Sequence, residues 1–327
     1  MKIIANEFVF PILTDKGCHA SHFLVLQDGS IFCVCFCGTR EGADDVRIIG
    51  IRRDAVTGRW GEPRPITEDD GQPHWNPVLF QRKDGVVILF YKVGRTIRDW
   101  KTRCMISYDG CKTFGESFEM VEGDDSGGRG PSRNKAIYLR DGSILAPGST
   151  ERGAWTCFFD RSFDEGRTWM RGKDICLPER FFDAANASQS HGIIQPTVWQ
   201  SDFGVHALMR SGEGCLFRTD SPDGDDWCEP YPIDMPNNNS AVDLINLPDG
   251  RLILACNPFS EDRRVGARSP LSLYESTDNG KTFTFLTHLA TMPGEYSYPA
   301  LQYENGHVYV TYTWRRRTIQ FFCFSGI

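Results

Sequence analysis

The sequence predicts an all-β fold of six similar sheets, a six-bladed β-propeller. Three observations carry this expectation. A short box ending in an aromatic residue recurs about every 55 residues. A tight hairpin turn recurs at a similar period, out of phase with the box. Helical periodicity is almost absent from the 327 residues.

In chain order, the segment MKIIANEFVFPILTDKG comes first. It carries an Asn-Glu pair inside its apolar stretch and no small-residue cleavage site, so it does not read as a signal peptide. It is expected to supply a strand that closes the last blade. The boxes follow: a degraded DAVTGRW ending at Trp60, SYDGCKTF (Ser107 to Phe114), SFDEGRTW (Ser162 to Trp169), a worn SPDGDDW ending at Trp227, and STDNGKTF (Ser276 to Phe283). The turns lie between apolar runs at Gly29, Gly85, Gly142, Gly204, Gly250 and Gly306. Six turns interleaved with five boxes give six units of about four short strands each, in a single domain spanning 1–327. In each box the Asp is expected to accept hydrogen bonds from the turn backbone. The Gly takes a conformation closed to other residues, and the aromatic anchors the turn. The boxes therefore read as structural staples without a catalytic part.

Composition narrows the function. Hydrophobic residues make up 40% and charged residues 24%, and the formal net charge is −7. That balance argues against nucleic acid as a partner and leaves room for a locally basic site. No run of about 18 apolar residues suits a membrane span, so no membrane is expected and the location reads as cytoplasmic. Twelve cysteines without a CxxC pair read as buried thiols, with Cys33, Cys35 and Cys37 on one face of a strand. No metal or organic cofactor is expected. Asn186-Ala-Ser and Asn238-Asn-Ser match the glycosylation pattern by chance. The Gly-rich stretch Gly123 to Asn134 lacks the phosphate-loop ending and is expected to overhang the pocket. Trp314 to Arg317, WRRR, reads as one pocket contact plus surface ion pairs.

In a propeller the innermost strands open onto one face, where ligands collect. About ten residues before each turn glycine stand His19, Asn76, Arg133 with Lys135, Gln195, Asn239 with Ser240, and Tyr298. After each following strand stand Arg40, Lys92, Glu151, Arg210, Asn257 and Arg315. Polar residues at matched points of six blades converge, and a set rich in Arg and Lys suits an anionic group such as a carboxylate.

The boxes resemble the Asp-box, or bacterial-neuraminidase, repeat, and the chain is similar to the sialidase superfamily over nearly its whole length. Within the stretch CHASHFLVLQDGSIFCVCFCGTREGADD, Arg40 matches an arginine that precedes an acid/base Asp. That Asp corresponds to Asp45, with Asp44 as the alternative. The carboxylate clamp of sialidases implies roles for Arg210, in HALMRS, and Arg268, in GARSPLSLYESTDNGKTF. The nucleophilic tyrosine corresponds to Tyr298 in GEYSYPAL, with Tyr296 as its competitor. Two positions depart from the pattern. His19 stands where the first clamp arginine belongs, and Gln195 stands where a Glu activates the tyrosine. Gln cannot take a proton, whereas His can.

The resemblance implies an exo-acting glycoside hydrolase for a terminal acidic sugar of an anionic oligosaccharide or glycoside. Asp45, Tyr298 and His19 would be its catalytic residues. Arg40, Lys92, Arg210, Arg268, Gln195, Asn76 and Asn239 would be its binding residues. Two alternatives stand beside it: a uronate lyase using His/Tyr β-elimination, and a noncatalytic glycan-binding propeller.

Overall fold

The structure is a computed structural model that describes residues 1–182, 191–260 and 268–327. Asn186 lies outside the described residues. Apart from two short 3-10 turns, the regular elements described are β-strands, in six antiparallel sheets. Blade 1 is built from Gly17–Val25, Ile31–Gly38, Arg47–Arg53 and Arg64–Pro65. Blade 2 follows with His74–Gln81, Val87–Val93, Lys101–Ser107 and Phe118–Glu119. Blades 3 to 5 open on Ile137–Tyr138, Ile193–Ser201 and Asp243–Asn246. Blade 6 runs Tyr296–Glu304, His307–Trp314 and Thr318–Ser325, and Lys2–Phe8 pairs antiparallel with that last strand. The N-terminal segment thus closes the last blade, as its sequence suggested.

The chain falls into two compact units. Residues 1–128 and 299–327 form the first, holding blades 1 and 2 and most of blade 6. Residues 129–298 form the second, holding blades 3 to 5 and the start of the blade 6 inner strand. In the first unit, Cys18, Cys33, Cys35 and Cys323 sit in one apolar cluster with Phe23, Ile31, Ile51 and Phe321. Alternation along Ile31–Gly38 puts the odd-numbered cysteines on the face that packs there. Burial pushes the Cys37 thiol up to about 12. All twelve cysteines are free, and Cys176 and Cys228 are the exposed exceptions to the buried pattern.

The boxes are staples of the expected kind. The Asp164 carboxylate accepts from the amides of Arg167 (3.1 Å) and Thr168 (2.9 Å) and from the hydroxyls of Thr168 (2.6 Å) and Ser162 (2.8 Å). Asp109 and Asp278 repeat the pattern, and the worn copies keep part of it through Asp54 and Asp223. One detail differs from the expectation. In the clean boxes two successive residues adopt left-handed backbone, Gly110 with Cys111, Glu165 with Gly166, and Asn279 with Gly280. Glycine takes only one of the two positions, so the other carries a strained ordinary residue.

In the Gly-rich stretch, residues 127–134 are buried. In the second unit, Arg129 Nε and the Gly130 amide donate to Asp160 at 2.9 and 2.6 Å. Ser132 bonds to the blade 3 strand through Pro147 O (2.9 Å) and the Ser149 amide (2.9 Å). Pro131 cannot donate to a ladder, so these side-chain bonds replace the missing start of the inner strand. In the basic hairpin after Trp314 the expected single pocket contact is exceeded, since Arg315, Arg316 and Arg317 all line one cleft; Arg316 pairs with Glu41, and Arg317 donates to Thr14 O at 2.9 Å.

Candidate functional site

One backbone device recurs along the inner strands. Ala20, Asn76, Gln195, Asn239 and Tyr298 have φ of 55, 42, 54, 65 and 55°. Three of these strands show a register shift at that point, between His19 and His22, Trp75 and Val78, and Ile194 and Thr197. A bulge of this kind re-aims a side chain and ends regular pairing. Each left-handed residue costs about 1–2 kcal/mol, so five at one blade position mark a constraint the fold maintains. A sequence signal accompanies three of them, since Asn76, Gln195 and Tyr298 each precede a Pro inside a strand.

In the second unit, three arginines surround Tyr298, which is buried. The guanidinium carbons of Arg133, Arg268 and Arg210 lie 5.1, 5.6 and 5.8 Å from its ring centroid. Arg133 is 1% exposed and donates to the Tyr298 carbonyl at 2.6 Å. Arg210 Nη1 donates to the Tyr298 hydroxyl at 3.3 Å, and its guanidinium also lies over Trp155 at 5.7 Å. Arg268 Nη1 sits 3.3 Å from Glu295, which also accepts from Ser297. Asn257 holds this arm in place: its Nδ2 lies 3.0, 2.8 and 3.0 Å from the carbonyls of Arg268, Pro270 and Tyr296. The Tyr296 amide donates back to Arg268 O at 3.0 Å. Of the two competing tyrosines, Tyr298 stands among the cations and Tyr296 serves the backbone.

The electrostatics are strongly positive. Burial pushes the Arg133 guanidinium down to about 10, with Asp243 and Tyr298 opposing and Arg210 adding to the fall. It stays charged at neutral pH. Burial also lowers Lys135, which is held by Asp243 at 2.7 and 2.8 Å, and Thr197 donates to the same carboxylate at 2.9 Å. Among the described residues, Arg210 Nε, Gln195 Oε1, Asn239 Oδ1 and Ser240 Oγ are buried without a hydrogen-bond partner. Orphaned buried polar atoms are rare in folded proteins, so each of these four is a candidate contact point. Asn134 donates to Gln195 O at 3.0 Å and so fixes that bulge. Asn239 lies in a bend ahead of the strand Asp243–Asn246, and its amide donates to Asn237 Oδ1 at 3.0 Å.

The remaining expected residues belong to the first unit. His19 is 1% exposed, packs edge-on against Phe36 at 5.6 Å, and lines a cleft of about 300 Å³ with Arg40, Arg315 and Arg316. Asp45 is exposed and does not line that cleft; it accepts from the Thr39 amide and hydroxyl at 3.0 and 2.8 Å. Asp44 pairs with Arg95. Lys92 is 1% exposed and donates to Thr102 at 2.6 Å. Asn76 is buried at its bulge. Among the described residues, no group of three or more His, Cys, Asp or Glu is placed to hold a metal.

Register splits the set that sequence counting had aligned. Lys92 pairs with Trp75, Arg210 with Ile194 and Phe36 with His19, so Lys92 and Arg210 are blade equivalents and Arg40 is not. Sequence counting placed Arg133 and Asn257 among the converging polar residues without assigning either a specific role, and it missed Glu295.

Six antiparallel blades, five of four strands and one of five, make a sialidase-fold β-propeller. Residues 29–310 match the BNR repeat-like domain, and the chain belongs to that family. Its fold is shared with a protein of unknown function from Dyadobacter fermentans, at TM-score 0.77 and 15% identity over 98% of both chains. It is also shared with the Trypanosoma rangeli sialidase in complex with the inhibitor DANA, at TM-score 0.73 and 11% identity, over 98% of this chain and 60% of that one. The intramolecular trans-sialidase of Ruminococcus gnavus, in complex with oseltamivir carboxylate, gives TM-score 0.70 and 12% identity over 94% of both chains. No curated protein matches the chain in sequence.

Proposed function

We propose that the protein is a glycoside hydrolase that removes a terminal carboxylate-bearing sugar from an oligosaccharide or glycoside. The observation that carries this reading is the ring of Arg133, Arg210 and Arg268 around Tyr298. Arg210, buried with its Nε unused, suits a planar carboxylate, which a guanidinium binds in a bidentate fashion. In this reading Tyr298 attacks or stabilises the oxocarbenium-like centre. Gln195, Asn239 and Ser240 bond sugar hydroxyls through their unused polar atoms.

The test is a panel of sialosides and uronosides incubated with saturating enzyme. Release of the free acidic sugar, lost in Tyr298→Phe, is the expected result. A panel that yields no sugar from any carboxylate-bearing substrate refutes the reading.

A second reading, β-elimination on a uronate, is favoured by one contact. Arg210 donates to the Tyr298 hydroxyl, a cation placed where a phenolate forms, and a tyrosine so assisted can remove a proton next to a carboxylate. Elimination leaves an unsaturated uronate that absorbs in the ultraviolet, and hydrolysis does not. A flat absorbance trace during product formation excludes it.

A further inference from the structure

A second constellation lies in the same unit and shares no residue with the arginine site. Ser201 ends the first strand of blade 4, where a two-residue turn leads into the strand starting at Gly204. Its Oγ lies 2.8 Å from His206 Nε2. On the other side of the ring, His206 Nδ1 lies 2.5 Å from Asp220 Oδ1. Asp220 also accepts from Arg218 Nε (2.9 Å) and the Tyr231 hydroxyl (2.5 Å). Burial alone would raise its carboxyl, but these bonds from His206, Arg218 and Tyr231 outweigh it and hold the group ionised, well below the usual carboxylate range. In the neutral ring, the tautomer that donates from Nδ1 to Asp220 leaves Nε2 as an acceptor towards Ser201, the arrangement a general base needs; Arg218 Nη2 also lies 3.1 Å from Nδ1.

The surroundings complete the arrangement. The Trp199 indole can only donate, and it donates to Asn279 Oδ1 at 2.8 Å. That fixes the Asn279 amide so that Nδ2 points at Ser201 Oγ (3.2 Å) and His206 Nε2 (3.1 Å). The Phe203 amide also points at Oγ, at 3.1 Å. Two donors thus stand near the place where an oxyanion bonded to the attacked carbon would form. All these groups line or adjoin a cavity of about 1070 Å³, whose wall includes Arg140, Asp202, Arg251 and Lys281. His206 is 3% exposed, while Ser201 is only partly buried, so the base is sheltered and the nucleophile is reachable.

We propose that Ser201, His206 and Asp220 form a second catalytic site that hydrolyses a short acyl ester of a polyhydroxy alcohol. Ser201 Oγ attacks the ester carbonyl and passes its proton to His206 Nε2. The carbonyl oxygen takes the negative charge beside Asn279 Nδ2 and the Phe203 amide. The bond from the carbonyl carbon to the alcohol oxygen breaks, and the alcohol leaves with the His206 proton. Water then attacks the acyl-serine, giving its proton to His206, and Oγ leaves with that proton as the carboxylic acid is released. Charged and polar walls suit a hydroxyl-rich alcohol, and the exposed Phe203 ring offers it an apolar face at the rim.

The experiment treats the whole chain with an alkyl fluorophosphonate and maps the adduct by peptide mass spectrometry, alongside p-nitrophenyl acetate turnover. The expected result is an adduct on Ser201 of the native protein and none after thermal unfolding. In Ser201→Ala, turnover falls by at least about a hundredfold. A native protein that acquires no adduct, an adduct on another residue, or unchanged turnover in Ser201→Ala overturns the proposal. The wild-type adduct needs no variant, so the outcome stands whether or not a variant folds.

Discussion

Replacing Arg210 with Met tests the anion site most directly. Arg210 is 6% exposed, spends one donor on the Tyr298 hydroxyl, and keeps Nε unused. A ligand carboxylate would take two charge-assisted hydrogen bonds from it, worth about 1.5–3 kcal/mol each before desolvation of the ligand is counted. Desolvation removes much of that gain, leaving about 3 kcal/mol, roughly a hundredfold in Kd. For the carboxamide of the same sugar, only a neutral hydrogen bond of about 1 kcal/mol is lost, roughly fivefold. The assay is calorimetric titration of an acidic monosaccharide and its carboxamide at physiological salt. Met fills most of the guanidinium's space, and the change relieves repulsion between Arg210 and Arg133, so the fold should survive. Equal weakening of both ligands, or less than about threefold for the carboxylate, would refute the argument that a buried cation recognises the anion.

Three further outcomes are expected. Tyr298→Phe should lower kcat by more than about a hundredfold and leave carboxylate binding within about fivefold, because the guanidiniums remain; single-turnover kinetics with titration of the variant check the split. Asn257→Ala orphans the carbonyls of Pro270 and Tyr296, while Arg268 O keeps the Tyr296 amide. At about 1–3 kcal/mol each this is a loss of about 2–6 kcal/mol, read from the urea midpoint, and a loss under about 1 kcal/mol counts against it. Asp164 is held at about 2 by hydrogen bonds from Thr168, Ser162 and Arg167, which outweigh the rise that burial causes. The sign follows from a folded value below the unfolded one: the box stabilises fully above the ordinary carboxylate range, and that stability is lost as pH falls towards 2. Asp164→Asn should therefore cost about 1 kcal/mol at neutral pH, the size of a capping substitution. The gap to wild type should close as the medium is acidified through that window, and a constant gap in urea titrations across it would contradict the assignment.

Periodicity made the blades legible because the box is a local device. Ser162, Asp164 and Thr168 bond to one another within a few residues, so the sequence that makes the staple also displays it. The worn copies at Trp60 and Trp227 remain readable for the same reason: Asp54 and Asp223 still take backbone amides. The cysteines were legible through alternation alone. The inner edge of blade 3 was not readable in this way, because it is held by long-range side-chain bonds from Arg129 and Ser132 that no local pattern records.

The site is legible only in part, and the reason is geometric. Counting back from the turn glycines treats each inner strand as regular, but a bulged strand carries one extra residue, and a shift of one turns every side chain to the other face. His19 is therefore the residue before the bulge, the equivalent of Ile194, and Ala20 is the true counterpart of Gln195 and Tyr298. The first clamp arginine implied by the family resemblance thus maps to a blade 1 bulge whose left-handed residue is an alanine. The third cation against Tyr298 is instead Arg133, supplied by the irregular stretch before blade 3. The same charge can be recruited from a different blade because a carboxylate responds to the guanidiniums within hydrogen-bond reach, whatever strand carries them.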